Sequence, residues 1–368
     1  HLARLDINIG LGGMNPKGEV DMEGARALIE GSKNFKAKAP GRVETHFDET
    51  AYFREVHETE QGVLDGIKDY MRMMPAYDPV MFQVAVPAEP KFEATDLNLI
   101  LPANQKRPYD SIQFLARLTD NSEFMEFRPD YGPEVFCGIA KIDGFPVAIV
   151  GNRQGVYPDY PAYAEGAYPG VGGKHYREGL IKQGEFVTLC GRDNLPIIWL
   201  QDTTGIDVGD LAEEAELLGL GQALVYSIEQ TDISMMCIVL RKGQAAAHYI
   251  MCGPQANNNN AFTLGTVCSE ICVMHGETAA AASYARRLIK EDEAGNDITP
   301  VVDKMNEMIQ DYQDKSEPVF AAKKGFVDEI VQLPELRKYI QAFTGANYQN
   351  PNSITPVHQM LLPRLIKG

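Results

Sequence analysis

The sequence is short of positive charge, has a single tryptophan, and contains neither a Cys-x-x-Cys pair nor a long apolar run. Each shortage removes a class of protein. Lysine and arginine number 34 against 51 aspartates and glutamates, a net charge of -17. A nucleic-acid binder needs a basic surface, so that class is set aside, while a small anion held by local groups is not. No apolar stretch approaches the roughly 20 residues that span a bilayer. No signal peptide is visible, and the first residue is His1 rather than Met, so the chain is expected to start inside a longer protein. The six cysteines, Cys137, Cys190, Cys237, Cys252, Cys268 and Cys272, read as reduced, mostly buried thiols of a cytoplasmic protein. Cys268, Cys272 and His275 fit no common zinc spacing, so core packing is expected of them and no metal. Neither a P-loop nor GxGxxG occurs, which leaves the loop of Gly10, Gly12 and Gly13 a weak phosphate signal. No Ser-His-Asp or Cys-His arrangement is recognisable, so no nucleophilic side chain is expected.

What is present is a chain of 368 residues, 44% apolar, large enough for two domains. Residues 21–33 and part of 48–73 read as helical. Residues 74–104, with five prolines, read as a long irregular linker, and the domain boundary is expected there, at 104/105. Next comes a helix capped by Asp110, then three strand candidates at 123–128, 135–142 and 145–150. Asp143-Gly144 between the last two is a hairpin turn signal. The loop 152–173 is long and aromatic and is expected to cover a site. Its Tyr157, Tyr160, Tyr163 and Tyr168 either line an apolar pocket or pack the loop onto its own domain.

From Lys174 the pattern becomes regular. A helix turns Tyr176, Leu180, Val187 and Cys190 toward a core. Residues 196–200 form a buried strand, 201–209 a polar glycine loop, and 210–230 one helix. Then comes the segment on which the reading centres, residues 235–253. Its apolar run, MMCIVL, is broken by Arg241, Lys242 and Gly243, and Ala245, Ala246, Ala247, His248 and Tyr249 follow as the first turn of a helix. A strand turning sharply into a helix of small residues leaves main-chain N–H groups unpaired, and such donors suit a developing oxyanion. Alone, the segment reads first as an ordinary crossover with alanines against a neighbouring layer, because such N–H groups usually find water or a cap. Loop 257–260, a short strand at 272–274, helices at 278–290, 299–312 and 334–343, and a strand or connector at 325–331 complete the series, with a Pro- and Asn-rich tail at 347–368. Alternation of strand, loop and helix implies an α/β domain with ligands at the strand C-termini. Those ends fall at 201–209, 241–247 and 275–277, which are expected to converge.

Several segments together resemble the carboxyltransferase family of biotin-dependent enzymes. They are KRPYDSIQFLARLTDNSEFMEF (106–127), YGPEVFCGIAKIDGFPVAIVGN (131–152), IIWLQDTTGIDVG (197–209), VLRKGQAAAHYIM (239–251) and GFVDEIV (325–331), in the family's order. IGLGGMNPKGEVD and the surroundings of HFDETAYFREV resemble the latter part of the family's N-terminal domain. The resemblance implies an α/β, crotonase-like (ClpP/crotonase) ββα superhelix: a complete C-domain over 105–368, preceded in 1–104 by the latter part of an N-domain and a linker. QDTTGIDVGDLAEEAELLGLGQ and RKGQAAAHY look closest to the alpha subunits of the family's sodium-pumping decarboxylases.

That resemblance carries further implications. The N-domain holds an acyl-CoA thioester, and its glycine-rich segment for the thioester oxygen is expected before His1. The C-domain holds biotin, carried on a separate subunit, against two main-chain amides, which by position fall on Ala246 and Ala247. Alanine here where relatives often have glycine implies a backbone accessible without a positive φ. Thr203, Thr204 and Gly205 lie on the loop expected beside biotin, unless Asp202 simply caps that turn. Tyr249 stands where acyl-group choice is influenced in some relatives; its plainer reading is a core aromatic. His248 is expected to point away from the amides rather than serve as a base. Arg241 and Lys242 read as a solvated rim, or as contacts to CoA phosphates or a substrate carboxylate. The implied reaction moves the distal carboxyl of glutaconyl-CoA to biotin. The implied partners are a second copy in a homodimer, a biotin carrier and a membrane-embedded decarboxylase that exports sodium, which places the chain in the cytoplasm, peripheral to a membrane complex. The alternatives are the carboxyltransferase of an acyl-CoA carboxylase, of methylcrotonyl-CoA type, and a non-catalytic fragment that docks CoA or the biotin carrier.

Overall fold

The computed structural model describes residues 43–51, 53, 55–73, 85–160, 169–253 and 260–349. The glycine loop near the start, the helix expected at 21–33, Tyr163, Tyr168 and most of the tail lie outside these. The chain divides into two compact units, 1–72 and 73–368. In the first, the helix Glu60–Met73 brings Gly66 against the His57 ring, where a Cβ would sit 2.7 Å from Nε2.

The second unit is built on one mixed sheet. Its strands are β1 (Met125–Glu126), β2 (Val135–Ile142), β3 (Phe145–Asn152), β7 (Ile197–Thr203), β9 (Met235–Gln244), β10 (Asn260–Thr266) and β12 (Glu329–Val331), neighbours in that order, with β11 (Glu270–Cys272) also on β9. Short strands β4 (Val156–Tyr157), β5 (Gly170–Val171), β6 (Lys174–His175) and β8 (Gly205–Ile206) pair apart from it, β4 with β5 and β6 with β8. The first pairings are antiparallel, β1 on β2 and β2 on β3. From β3 onward every neighbour is parallel.

The antiparallel start is set by the tight turn. Asp143 and Gly144 both take positive φ, 52° and 74°, the conformation a two-residue hairpin needs to match strand twist. Buried Asp120 holds the turn from outside. Its carboxylate accepts the N–H groups of Asp143 (3.1 Å) and Gly144 (2.7 Å) and an Arg337 guanidinium N–H (2.8 Å).

The parallel strands are apolar on both faces because both are covered. Ile198, Leu200, Met236, Ile238 and Leu240 share a core with Phe114, Leu115, Leu336, Ile340 and Phe343. The alternate residues Trp199, Cys237 and Val239 point to the opposite face and are equally buried. Helices Arg177–Asp193 and Leu217–Glu229 pack on one another. Tyr176, Leu180, Val187 and Cys190 are all buried, as their spacing predicts.

Several elements differ from the sequence reading. Residues 94–100 are not irregular: Ala94–Asp96 and Leu97–Ile100 are helical, and Leu97 and Leu101 enter the main core. The helix expected over 210–230 is two, Asp210–Glu214 and Leu217–Glu229, because Glu216 adopts φ 63° and breaks the hydrogen-bond run. The strand at 272–274 lies earlier, as β11, and β10 was not anticipated. Asp110 does cap its helix, Ser111–Leu115, through Ile112 N–H (2.9 Å) and Gln113 N–H (3.1 Å). The six cysteines are free thiols, four of them buried. Among the described residues, no helix is long and apolar enough to cross a membrane.

Asp120→Ala removes the buried carboxylate hydrogen-bonded to Arg337, leaving only the more distant and more exposed Glu89 (3.5 Å) and Asp143 (3.9 Å), and opens the hairpin turn. The expected cost is about 3–5 kcal/mol, read as a lowered denaturant midpoint; Asp120→Asn, whose single oxygen still accepts one of the two turn N–H groups, is expected to cost less.

Candidate active site

The ends of β7 and β9 are charged, yet buried. Arg241, Asp202 and Gln201 are fully covered and Lys242 nearly so. The reason is a register shift. Gln201 pairs with Val239, but Thr203 pairs with Gly243, so β9 carries extra length opposite Asp202. Neighbouring residues of a regular strand point to opposite faces, and a bulge relaxes that rule. The bulge lets the Arg241 side chain and the Lys242 main chain reach the same carboxylate.

Asp202 Oδ2 accepts Arg241 Nε–H (2.9 Å) and Nη2–H (2.7 Å). Asp202 Oδ1 accepts the Lys242 main-chain N–H (3.2 Å), with the Lys242 ammonium 3.7 Å away. Arg241 Nη1 donates to the carbonyls of Arg107 (2.8 Å) and Asn104 (3.1 Å), and its guanidinium lies 4.9 Å from the centre of the Tyr109 ring. Burial lowers the Lys242 pKa and the Asp202 charge opposes that shift. The expected solvated rim is therefore an internal ion pair. Arg241 is unavailable to CoA phosphates or to a substrate carboxylate, because its donors are engaged by Asp202 and main-chain carbonyls. Nor does Asp202 serve merely as a turn cap.

The pair ties together two of the three ends expected to converge, those of β7 and β9, and Gln244 beside it meets the third at His275. Thr203 and Thr204 hydroxyls donate to the Gly173 carbonyl, at 2.9 and 3.3 Å, as does the Thr204 N–H at 2.7 Å. Residues 201–203 are thus strand rather than loop, their polar groups satisfied inside the fold. Gly205 takes φ 140°, and a Cβ placed there would lie 3.9 Å from the Ala245 Cβ. Gln244 Nε2 lies 3.2 Å from His275 Nε2, at the start of the helix Gly276–Glu293. Thr204, Lys242, His275 and Glu277 line one cleft of about 670 Å³ with Gln105 and Gln154.

The alanine tract forms the helix Ala245–Ile250. A positive φ occurs after all, at Ala245 (53°), one residue before the two of interest. Left-handed alanine costs about 1–2 kcal/mol, a strain tolerated where the surroundings over-determine the turn. Ala246 is exposed and Ala247 buried, and among the described residues no acceptor engages the N–H of either. Tyr249 is 47% exposed and so is not a core aromatic. His248 is held away from solvent chemistry: its Nδ1–H donates to Gln201 Oε1 (2.6 Å), and burial pushes its pKa down to about 4. Of the loop tyrosines, Tyr160 packs edge-on against Tyr157 and Tyr176, ring centres 6.4 and 5.4 Å apart, so these two lie on their own domain.

Behind β7, Asn152 Oδ1 accepts the Asp202 N–H (2.9 Å), while its Nδ2 lies 3.3 Å from His175 Nε2. His175 is fully buried, and burial drops its pKa to about 4. The sequence reading passed over Gln201, Asn152 and His175 and misplaced Asp202. The available signal was polar residues at the ends of otherwise apolar neighbouring strands.

A crotonase-like α/β domain with an exposed small-residue turn at a strand C-terminus is the class these features define. The carboxyl transferase domain model matches residues 23–361, and the chain belongs to that family. It is 53% identical to the glutaconyl-CoA decarboxylase subunit alpha of Acidaminococcus fermentans, over 97% of this chain and 61% of the relative. With the biotin-dependent 3-methylcrotonyl-coenzyme A carboxylase beta1 subunit of Mycobacterium tuberculosis it shares 24% identity, over 78% of this chain and 53% of the relative. The chain thus spans only about three fifths of the first relative's length and half of the second's. Among solved structures, transcarboxylase 12S with methylmalonyl-coenzyme A bound superposes with a TM-score of 0.70 at 21% identity, covering 90% of this chain and 60% of that one. That similarity carries the fold.

Two outcomes are expected of the buried groups. Asp202→Asn strands the Arg241 guanidinium and is expected to cost about 3–5 kcal/mol of stability, seen in the unfolding midpoint. His175 gives a pH dependence. Its imidazole takes a proton near pH 6.5 when unfolded but only near 4 when folded, so the unfolded state gains protons first as pH falls. Stability of about 3 kcal/mol is therefore lost between pH 6.5 and 4. Glu134, whose carboxyl burial raises to about 7, acts in the opposite sense over part of this range. The His175 share is isolated by comparison: the wild-type melting temperature is expected to fall relative to that of His175→Gln over that interval.

Proposed function

We propose that this chain is the carboxyltransferase part of a glutaconyl-CoA decarboxylase. It would move the distal carboxyl of glutaconyl-CoA to biotin on a carrier subunit and release crotonyl-CoA. The observation that carries the reading is the 53% identity over 97% of the chain to a subunit of that name. We assign residues 105–368 to the C-terminal carboxyltransferase domain and 1–104 to the latter part of the N-terminal one with its linker.

The local geometry fits a planar ureido group. Among the described residues the N–H groups of Ala246 and Ala247 have no acceptor, Ala245 and Ala246 are exposed, and opposite them stands Gly205, with no side chain to fill the space. Bound there, biotin supplies a nitrogen that accepts the carboxyl group. The chain's part is to stabilise the negative ureido oxygen through the two alanine amides and to keep water away with Tyr249 and the Thr204–Gly205 turn. Preorganised donors of this kind act without any nucleophilic side chain. Tyr249, half-exposed beside the tract, is assigned to the acyl-group pocket.

The remaining partners follow from the same reading: a second copy of the chain whose N-domain completes the site, a biotin carrier, and a membrane decarboxylase coupled to sodium export, with this subunit on the cytoplasmic side.

The test uses the full-length gene product with free biotin and glutaconyl-CoA, following biotin-dependent crotonyl-CoA formation. Turnover is expected. Ala246→Pro deletes one amide donor and also strains the left-handed Ala245 before it, so kcat is expected to fall by at least about 10²–10³. Activity confined to methylcrotonyl-CoA carboxylation would replace the reading with an acyl-CoA carboxylase subunit.

A further inference from the structure

The alanine tract is bounded by two glycines, Gly243 and Gly253, and both face the same residue. A Cβ at Gly243 would come within 3.0 Å of His248 Nδ1, and one at Gly253 within 3.1 Å of His248 Cδ2 and 2.4 Å of its carbonyl oxygen. The His248 ring therefore sits where neither neighbour could carry a side chain without displacing it. Its position is fixed further by Gln201 on the adjoining strand. Gln201 Oε1 accepts His248 Nδ1–H at 2.6 Å, while Gln201 Nε2 donates to the carbonyls of His248 (3.2 Å) and Met251 (2.6 Å). Gly253 N–H donates to the same His248 carbonyl at 3.0 Å, and Met251 N–H to the Ala247 carbonyl at 3.1 Å.

Both ends of one amide side chain are thus spent on one six-residue helix, which is too short to hold its shape alone. Gln201 is itself fully buried in the sheet, so it transmits the rigidity of β7 to the tract. Ala247 lies directly before His248 and is fully covered.

We propose that Gln201 and His248 are positioning residues for the proposed carboxyl transfer, a clamp that aims the Ala246 and Ala247 amides and takes no part in proton transfer. This rests on the reading of those amides given above. The Nδ1–H tautomer follows from its partner, since a glutamine oxygen only accepts. A histidine kept neutral by burial stays in that tautomer throughout the working pH range.

The experiment compares wild-type full-length protein with Gln201→Met, His248→Leu and the conservative His248→Gln, which retains an N–H for Gln201 Oε1. Amide hydrogen exchange over residues 245–251 is measured first, because it reads the clamp whether or not the protein turns over. Exchange is expected to rise at least about tenfold in Gln201→Met and His248→Leu and to stay near wild type in His248→Gln. With free biotin, kcat is then expected to fall about 10–100-fold in the first two, with KM for the acyl-CoA unchanged and the pH profile unmoved; His248→Gln is expected to retain most of the rate. Unchanged exchange in both disruptive variants would overturn the clamp. Loosened exchange with undiminished kcat would overturn its catalytic consequence. Equal losses in His248→Leu and His248→Gln with an altered pH profile would make His248 an acid or base instead. An inactive wild type would sink the functional reading, and with it the positioning role, while the exchange data would still decide whether the clamp exists.

Discussion

Asp202 and Arg241 are both removed from water, and neither is tolerable there without the other. An isolated buried charge costs several kcal/mol, and the two are matched by paired guanidinium bonds on one carboxylate oxygen. That requirement organises what lies around it. The bulge in β9 exists opposite Asp202, the segment 102–107 wraps over Arg241 to offer it carbonyls, and Asn152 receives the Asp202 main chain from β3. Three strands and the segment entering the sheet are locked together at the one edge where the polar ends meet.

From that locked edge the exposed parts project. The Gly205 turn and the alanine tract both begin within a few residues of the ion pair, one after Asp202 and the other after Arg241. Their separation is therefore governed by a buried contact rather than by loop flexibility. Donors that must face a developing charge need such support, because reorganisation during reaction would cancel their benefit. The left-handed Ala245 fits the same picture: a strained residue persists where a rigid strand precedes it and a clamped helix follows.

Much of the architecture was legible. Asp143-Gly144 specified its turn because few residues accept positive φ in succession, and Asp110 capped its helix through a side chain of the right length. The buried strands expected at 135–142, 145–150 and 196–200 stood out as apolar runs between turn signals, and the helix facing Tyr176, Leu180, Val187 and Cys190 kept its period. The family resemblance also lay in linear order, in segments such as IIWLQDTTGIDVG and VLRKGQAAAHYIM. Less legible were β10, behind an asparagine run, and the break at Glu216, a residue type that carries no turn signal.

By itself the sequence determined most of the strands and helices of the sheet domain, that the alanine tract follows a strand, and that Ala246 and Ala247 fall in a first helical turn. Those are properties of local spacing and side-chain type. Tertiary structure alone decided that Arg241 and Lys242 are internal, that Gln201 to Thr203 continue a strand, that Tyr249 is exposed, and that His248 is held by Gln201. Each depends on a partner far along the chain: 39 residues separate Asp202 from Arg241 and 47 separate Gln201 from His248. A charged or polar residue reads as surface until the group that compensates it is known, and linear spacing does not name that group.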